Sequence, residues 1–236
     1  HTLSASGATS PLVNGIVVSS GTTVNLFKNR IYGLSVSGAI STTSPSVNGI
    51  SLTGGTTVNT YNNLIGELTA PLANLTDAIR GISVSSTSTT TTQNVYYNTV
   101  NISATSTGAN FGTTGIFHAA NATTTTAALN LRNNIIYNTS TAAGTGFTVA
   151  YRRSVGTAGT LANYANTSNH NDFYAGTPSA TNLIYGDGTS TAQTIAAYKA
   201  GVFTAGTIAP RDASSISEDP EFQSTAGANA NFLKYR

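Results

Sequence analysis

The chain has 236 residues, 39% of them hydrophobic and only 8% charged, with ten Lys and Arg against eight Asp and Glu. Ordinary soluble domains carry about 25% charged residues, yet enough aliphatic residues remain here to bury a core, and no basic run exists to hold nucleic acid. Cysteine is absent, which excludes disulfides, thiolate metal sites and a cysteine nucleophile.

The chain begins at His1 with no signal-peptide pattern and no long apolar run, so it reads as a processed protein or a fragment of a longer one, without a membrane span. From Val13 onward one phrase recurs. "VNGIVVS" at Val13 returns as "VNGISLT" at Val47, as "IRGISVS" at Ile79 and as "TTGIFHA" at Thr113. "SSGTTVNLFKNRIYGL" from Ser19 returns as "TGGTTVNTYNNLIGEL" from Thr53. A second series runs through Asn29, Asn63, Asn98, Asn134 and Asn171, spaced 34, 35, 36 and 37 residues apart. About five tandem units are present, and a period of this length marks a repeat architecture.

Each unit holds runs of three to five residues with β-type alternation, rich in Val, Ile and Thr, such as Ile16 and Val18, Val24 and Leu26, then Ile31. Gly, Asn, Ser and Thr separate them, as turns require. One such unit cannot bury its apolar face alone, but stacked units can. The fold expected is all-β: a right-handed parallel β-helix of about five coils over residues 1–174. Ile16, Ile50, Ile82, Ile116 and Phe147 should stack in one inward ladder. Val18, Leu52, Val84 and Val149 should stack in another, with His118 taking the fourth unit's place. Asn29, Asn63, Asn98, Asn134 and Asn171 form an internal ladder at a bend, where Asn tolerates left-handed backbone and its amide can bond up the stack. Thr22 and Thr23, Thr56 and Thr57, and Thr91 and Thr92 should line a turn wall.

After Tyr174 the repeat fades, and residues 175–236 read as an irregular segment packing on the solenoid end. "TAQTIAAYKAG" is its helix, with Thr191 or Thr194 as the cap and Gly201 as the stop. "NANFLKY" reads as a last short strand. Four of the eight acidic residues gather at Asp212, Glu218, Asp219 and Glu221. That cluster is where Ca²⁺ would bind if any did, though it lacks the alternating pattern of a calcium loop. No cofactor is expected otherwise.

"VYYNTVNISATSTGANFGTTGIFH", "LNLRNNIIYNTS", "GFTVAYRRS" and "RDASSISEDPEF" resemble right-handed parallel β-helix modules of the pectate-lyase-like type. More narrowly they resemble repeat regions of large secreted bacterial surface proteins, of the kind often exported by the type-nine secretion route. The resemblance implies the fold and an extracellular or cell-surface location.

Chemistry on the coils is sparse. Before Asp172 the only acidic residues are Glu67 and Asp77, whereas glycoside hydrolysis needs two facing carboxylates. His118 is the best lone acid–base candidate, against a ladder role with internal bonds. Arg152 and Arg153 should point to opposite faces if they lie on a strand. Phe27, Tyr61 and Tyr96 align, with Arg132 in the fourth unit, and this row should face outward. An exposed aromatic row suits a partner: a second copy, a neighbouring domain of the same protein, or polysaccharide. The expectation is a non-enzymatic extracellular structural or adhesive solenoid, part of a larger surface protein or fibre. The alternative is a carbohydrate-binding or polysaccharide-degrading module, a lyase or glycoside hydrolase.

Overall fold

The computed structural model describes residues 3–6, 11–38 and 45–236. Strands from successive repeats pair in parallel, so the chain winds into a β-solenoid of about five coils. The longest sheet, sheet I, contains Val13–Val18, Val47–Leu52, Leu75–Val84, Phe111–His118, Thr148–Arg153 and Asn182–Gly186, with Thr191–Ala192 antiparallel at its end. Sheet II contains Thr23–Phe27, Thr57–Tyr61, Thr92–Tyr96 and Ala128–Arg132. Sheet III contains Arg30–Ile31, Leu64–Ile65, Thr99–Ile102, Ile135–Asn138 and Asp172–Tyr174. Sheet IV contains Leu3–Ala5, Leu34–Val36 and Leu68–Thr69. Sheet I therefore continues beyond Tyr174, where the repeat is no longer visible in the sequence.

The core follows from the pairing. Val58, Ile65, Ile82, Val95, Val100 and Ile136 are fully buried between the sheets. Ile16, Ile50, Ile82 and Ile116 stack as expected, but the next rung is Tyr151, not Phe147. The second column runs Val18, Leu52, Val84, His118 and then Arg153, with Val149 paired instead to Thr114. Matching apolar residues misplaced the fifth coil. The backbone register aligns Thr148 with Thr113, and the column turns polar where it meets the C-terminal segment.

A glycine column lets sheet I approach sheet III. A Cβ on Gly81 would overlap the Val100 side chain and lie 2.6 Å from the Gly115 carbonyl oxygen. Gly49 and Gly115 stand in the same relation to Ile65 and Ile136.

The bend between sheets II and III holds a continuous amide column. Asn29 Nδ2 donates to Asn63 Oδ1 at 2.8 Å, Asn63 to Asn98 at 2.9 Å, and Asn98 to Asn134 and Asn134 to Asn171 at 3.0 Å each. Each acceptor oxygen also takes the backbone N–H of the preceding Asn in the column. The second proton of Nδ2 goes to a carbonyl of the preceding coil, such as Leu26 O or Thr60 O. The left-handed residue of the bend is not the column Asn but the one before it: Lys28, Asn62, Tyr97, Asn133 and His170, with φ of 54° to 59°. That residue takes the strained turn and leaves the Asn free to point inward.

The helix is Ile195–Ala200, capped by the Thr194 side chain on Ala197 N–H and ended at Gly201, with Tyr198 buried. The final residues make isolated bridges rather than a strand. They run back along sheet III: Phe222 packs edge-on to Tyr137, Phe232 lies beside Tyr32, and Arg30 donates to Asn229 O.

Two substitutions test this interior. Asn98→Ala strips partners from the backbone and side chain of Asn63, and should cost about 3 kcal/mol. Gly81→Ala should cost about 1–3 kcal/mol by overpacking. Chemical denaturation measures both, and an Asn98→Ala loss no larger than that of an exposed Asn would remove the column's structural role.

Candidate functional site

The outward face of sheet II is regular, with four strands in unbroken parallel register. Its strands alternate in and out, so every second residue faces solvent. Thr23, Thr57 and Thr92 form one outward row, and Asn25, Asn59, Asn94 and Asn130 form the next. Phe27, Tyr61, Tyr96 and Arg132 form the third, in pairing register. The Asn row is itself hydrogen-bonded: Asn59 Nδ2 donates to Asn25 Oδ1 at 2.9 Å, and Asn94 Nδ2 to Asn59 Oδ1 at 2.8 Å.

Phe27 and Tyr61 have ring centroids 5.1 Å apart and planes within 3° of parallel. Parallel rings this close overlap face over face in an offset stack. Their faces therefore look along the solenoid axis and their edges look toward solvent. Tyr96 donates its hydroxyl to Asn94 Oδ1, and the Arg132 guanidinium sits 5.9 Å from the Tyr96 ring centre. Phe27 is 46% exposed, whereas Tyr61, Tyr96 and Arg132 are half-buried.

A second cluster lies inside, where the last coil meets the C-terminal segment. Arg153 points into the core and is 1% exposed. Its Nη1 donates to His118 Nδ1 at 2.6 Å, and its Nη2 donates to Thr160 O at 2.5 Å and Asn163 Oδ1 at 2.8 Å. His118 Nε2 reaches Ala127 O at 2.8 Å. These contacts select the neutral tautomer with the proton on Nε2. Burial, joined by the charge of Arg153, pushes the His118 pKa well below its usual value. Tyr164 lies between the Arg153 and Arg211 guanidinium groups, 5.8 and 5.7 Å from its ring centre. Its hydroxyl donates to Asp212 at 2.6 Å. Asp212 is fully buried and also accepts from Tyr198, Ser215 and Asn171. Apart from Arg153 Nε, which is buried without a hydrogen-bond partner, these groups are spent on their neighbours.

Arg152, on the opposite face of the same strand, lies 3.9 Å from Asp77, which Arg80 holds at 2.7 Å and Thr114 at 2.5 Å. The Arg80 guanidinium stacks 3.5 Å over the Phe117 ring centre. Asp77 and Glu67 are not brought together: Asp77 is buried against Arg80, while Glu67 is exposed at a left-handed turn. Of the acidic segment, Asp212 lies in the interior, and Glu218 and Asp219 lie beside Asp172 on the surface. Among the described residues no group of three or more His, Asp or Glu is arranged to hold a metal ion.

The sequence did not join Arg153, His118 and Asn163 into one cluster, because they lie in different coils and an insertion. A polar pair at ladder positions, His118 followed by Arg153, was the only available signal.

The fold defines the class: this is a parallel β-solenoid protein. Compared with protein-family models, curated proteins and solved structures, the chain matches none.

Asp172 supplies a pH test. Burial first, then the nearby charges of Glu218 and Asp219, raise its pKa from 3.8 to about 6, against the Glu218 N–H that bonds its carboxylate. Its contribution to stability is full below about pH 4 and is lost as pH rises to about 6. Asp172→Asn should match the wild type at pH 3.5 and melt higher at pH 7, by thermal scans across that range. Equal melting temperatures at pH 7 would contradict the assignment.

Proposed function

We propose that this chain is a non-enzymatic extracellular solenoid, structural or adhesive, forming part of a larger cell-surface protein or a self-assembling fibre. The observation that carries the reading is the outward face of sheet II. Four coils there present Asn in register, and aromatic or Arg side chains beside it, so the face repeats at the inter-strand spacing of about 4.8 Å. A periodic face of amides and ring edges suits contact with another periodic surface, a neighbouring domain or a second copy. The polar residues that would serve catalysis are spent otherwise: His118 and Arg153 bond each other in the core, and Asp212 holds four donors.

The alternative reading, a carbohydrate-binding or polysaccharide-degrading module, draws on the same exposed aromatics. Sugar rings stack on aromatic faces, but the stacked pair Phe27 and Tyr61 offers mainly edges to solvent. A panel of neutral and acidic polysaccharides separates the two. The purified chain should release no reducing or unsaturated products from any of them, and cleavage of one would overturn the structural reading. Tyr61→Ala should lower stability by only about 1 kcal/mol, since the ring is half-exposed. The same variant should weaken retention of the chain on its partner surface at least about tenfold if the face is the contact.

A further inference from the structure

The two ends of the solenoid differ. At the C-terminal end sheets I, II and III are covered or bridged. Sheet I ends in an antiparallel strand, Asp172 bridges to Ile216, and the amide column ends on Asp212 and Ser215. At the N-terminal end Val13–Val18, Thr23–Phe27 and Arg30–Ile31 are the outermost strands of sheets I, II and III. Core positions lie open there. Ile16, Val24 and Leu26 are only partly buried, whereas Ile50, Val58 and Thr60 at the same column positions are 0% exposed. A hollow of about 440 Å³ lies among Leu3, Gly15, Ile16, Ile31 and Leu34.

The polar groups of this end have a sense. In the inner column each Nδ2 donates toward the C-terminal end, so Asn29 Oδ1 is left without a donor among the described residues. In the outer row each Nδ2 donates toward the N-terminal end, so the Asn25 amide has no acceptor among the described residues. On sheet I, Asn48 donates to Asn14, whose own amide likewise has no acceptor among the described residues. Among the described residues no ring stacks on the outer face of Phe27. Among the described residues the end thus offers one side-chain acceptor, three side-chain donors, the third being the second Nδ2 proton of Asn29, and an aromatic face, at the positions where each coil meets the next.

We propose that this end is the docking face for one further parallel coil of the same repeat, supplied by the polypeptide immediately preceding Leu3. Strand Leu3–Ala5 selects that occupant. It pairs in parallel with Leu34–Val36, residue for residue, and so occupies the place of the fourth strand of a coil whose other three strands would cover the open end. The occupant needs an Asn amide donor over Asn29, Asn oxygens over Asn14 and Asn25, an aromatic ring over Phe27 and an aliphatic residue over Ile16. A second copy fits worse: only its C-terminal end has the strand direction that continues the parallel coils, and that end is already covered by its own C-terminal segment.

The test builds the coil. A copy of residues 11–33 is placed directly before Leu3, so that Leu3 follows the added segment as Leu34 follows Gly33. Amide hydrogen exchange is then read in Val13–Val18, Thr23–Phe27 and Arg30–Ile31. In the unextended chain these amides should exchange at least about tenfold faster than their partners in the second coil, and the extension should remove most of that difference. Changing the added copy of Asn29 to Asp removes the side-chain donor and should forfeit most of the gain around Asn29. The proposal is overturned if the extension leaves exchange at the three strands unchanged. It is equally overturned if the unextended chain already protects them by forming dimers in sedimentation.

Discussion

The Asn-to-Asn hydrogen bond between successive coils is the constraint on which the rest of this molecule depends. A solenoid coil must turn sharply between strands, and each turn withdraws backbone groups from the sheet ladders. Here one side chain answers for them. Asn63 accepts from the backbone and side chain of Asn29, donates to Leu26 O, and donates from its backbone and side chain to Asn98 Oδ1, so five bonds cross two coil boundaries at one residue. Buried amides of this kind are costly when unpaired and rigid when paired. The column therefore holds coil to coil at one register, and that register in turn stacks Ile on Ile and glycine on glycine.

The same column sets the polarity of the molecule. Five amides point the same way and end on the Asp212 carboxylate, which four donors hold in the interior. Burial still raises the Asp212 pKa, so the donors offset only part of the cost of desolvating it. Arg153 meets the same problem with the opposite sign: it is buried with no carboxylate within ion-pair range among the described residues, and its partners are His118, Tyr151, Thr160 and Asn163. The C-terminal segment is thus joined to the last coil by polar contacts of high directional demand. The aromatic cluster of Tyr151, Tyr185, Tyr198 and Phe203 fills the space around them.

How much of this was legible depended on whether a feature repeats. The Asn29 series was visible because each coil needs the same amide in the same place. The outward row of Phe27, Tyr61 and Tyr96 was visible because recurring Thr-x-Asn phrases aligned the strands. The fifth coil was misread at Phe147 and Val149 because its ladder residues had changed to Tyr151 and Arg153. Substitution at the end of a stack follows what covers it, not what lies one period earlier. The left-handed residue was placed one position late, because Asn is the usual occupant of such a turn, whereas Lys28 and Tyr97 adopt it here under the pull of the column.

By itself the sequence determined the period, the parallel β-solenoid and the helix between Thr194 and Gly201. Each rests on local chemistry repeated along the chain: alternation, turn residues and a cap. Only the tertiary structure decided how the irregular parts close on that frame. It placed Arg153 inside and Arg152 outside, buried Asp212 beneath Tyr164 and Tyr198, and laid Phe232 against Tyr32 some two hundred residues away in the chain. Those contacts occur once, between segments with no shared pattern, and their energies depend on burial that no single stretch of the chain encodes.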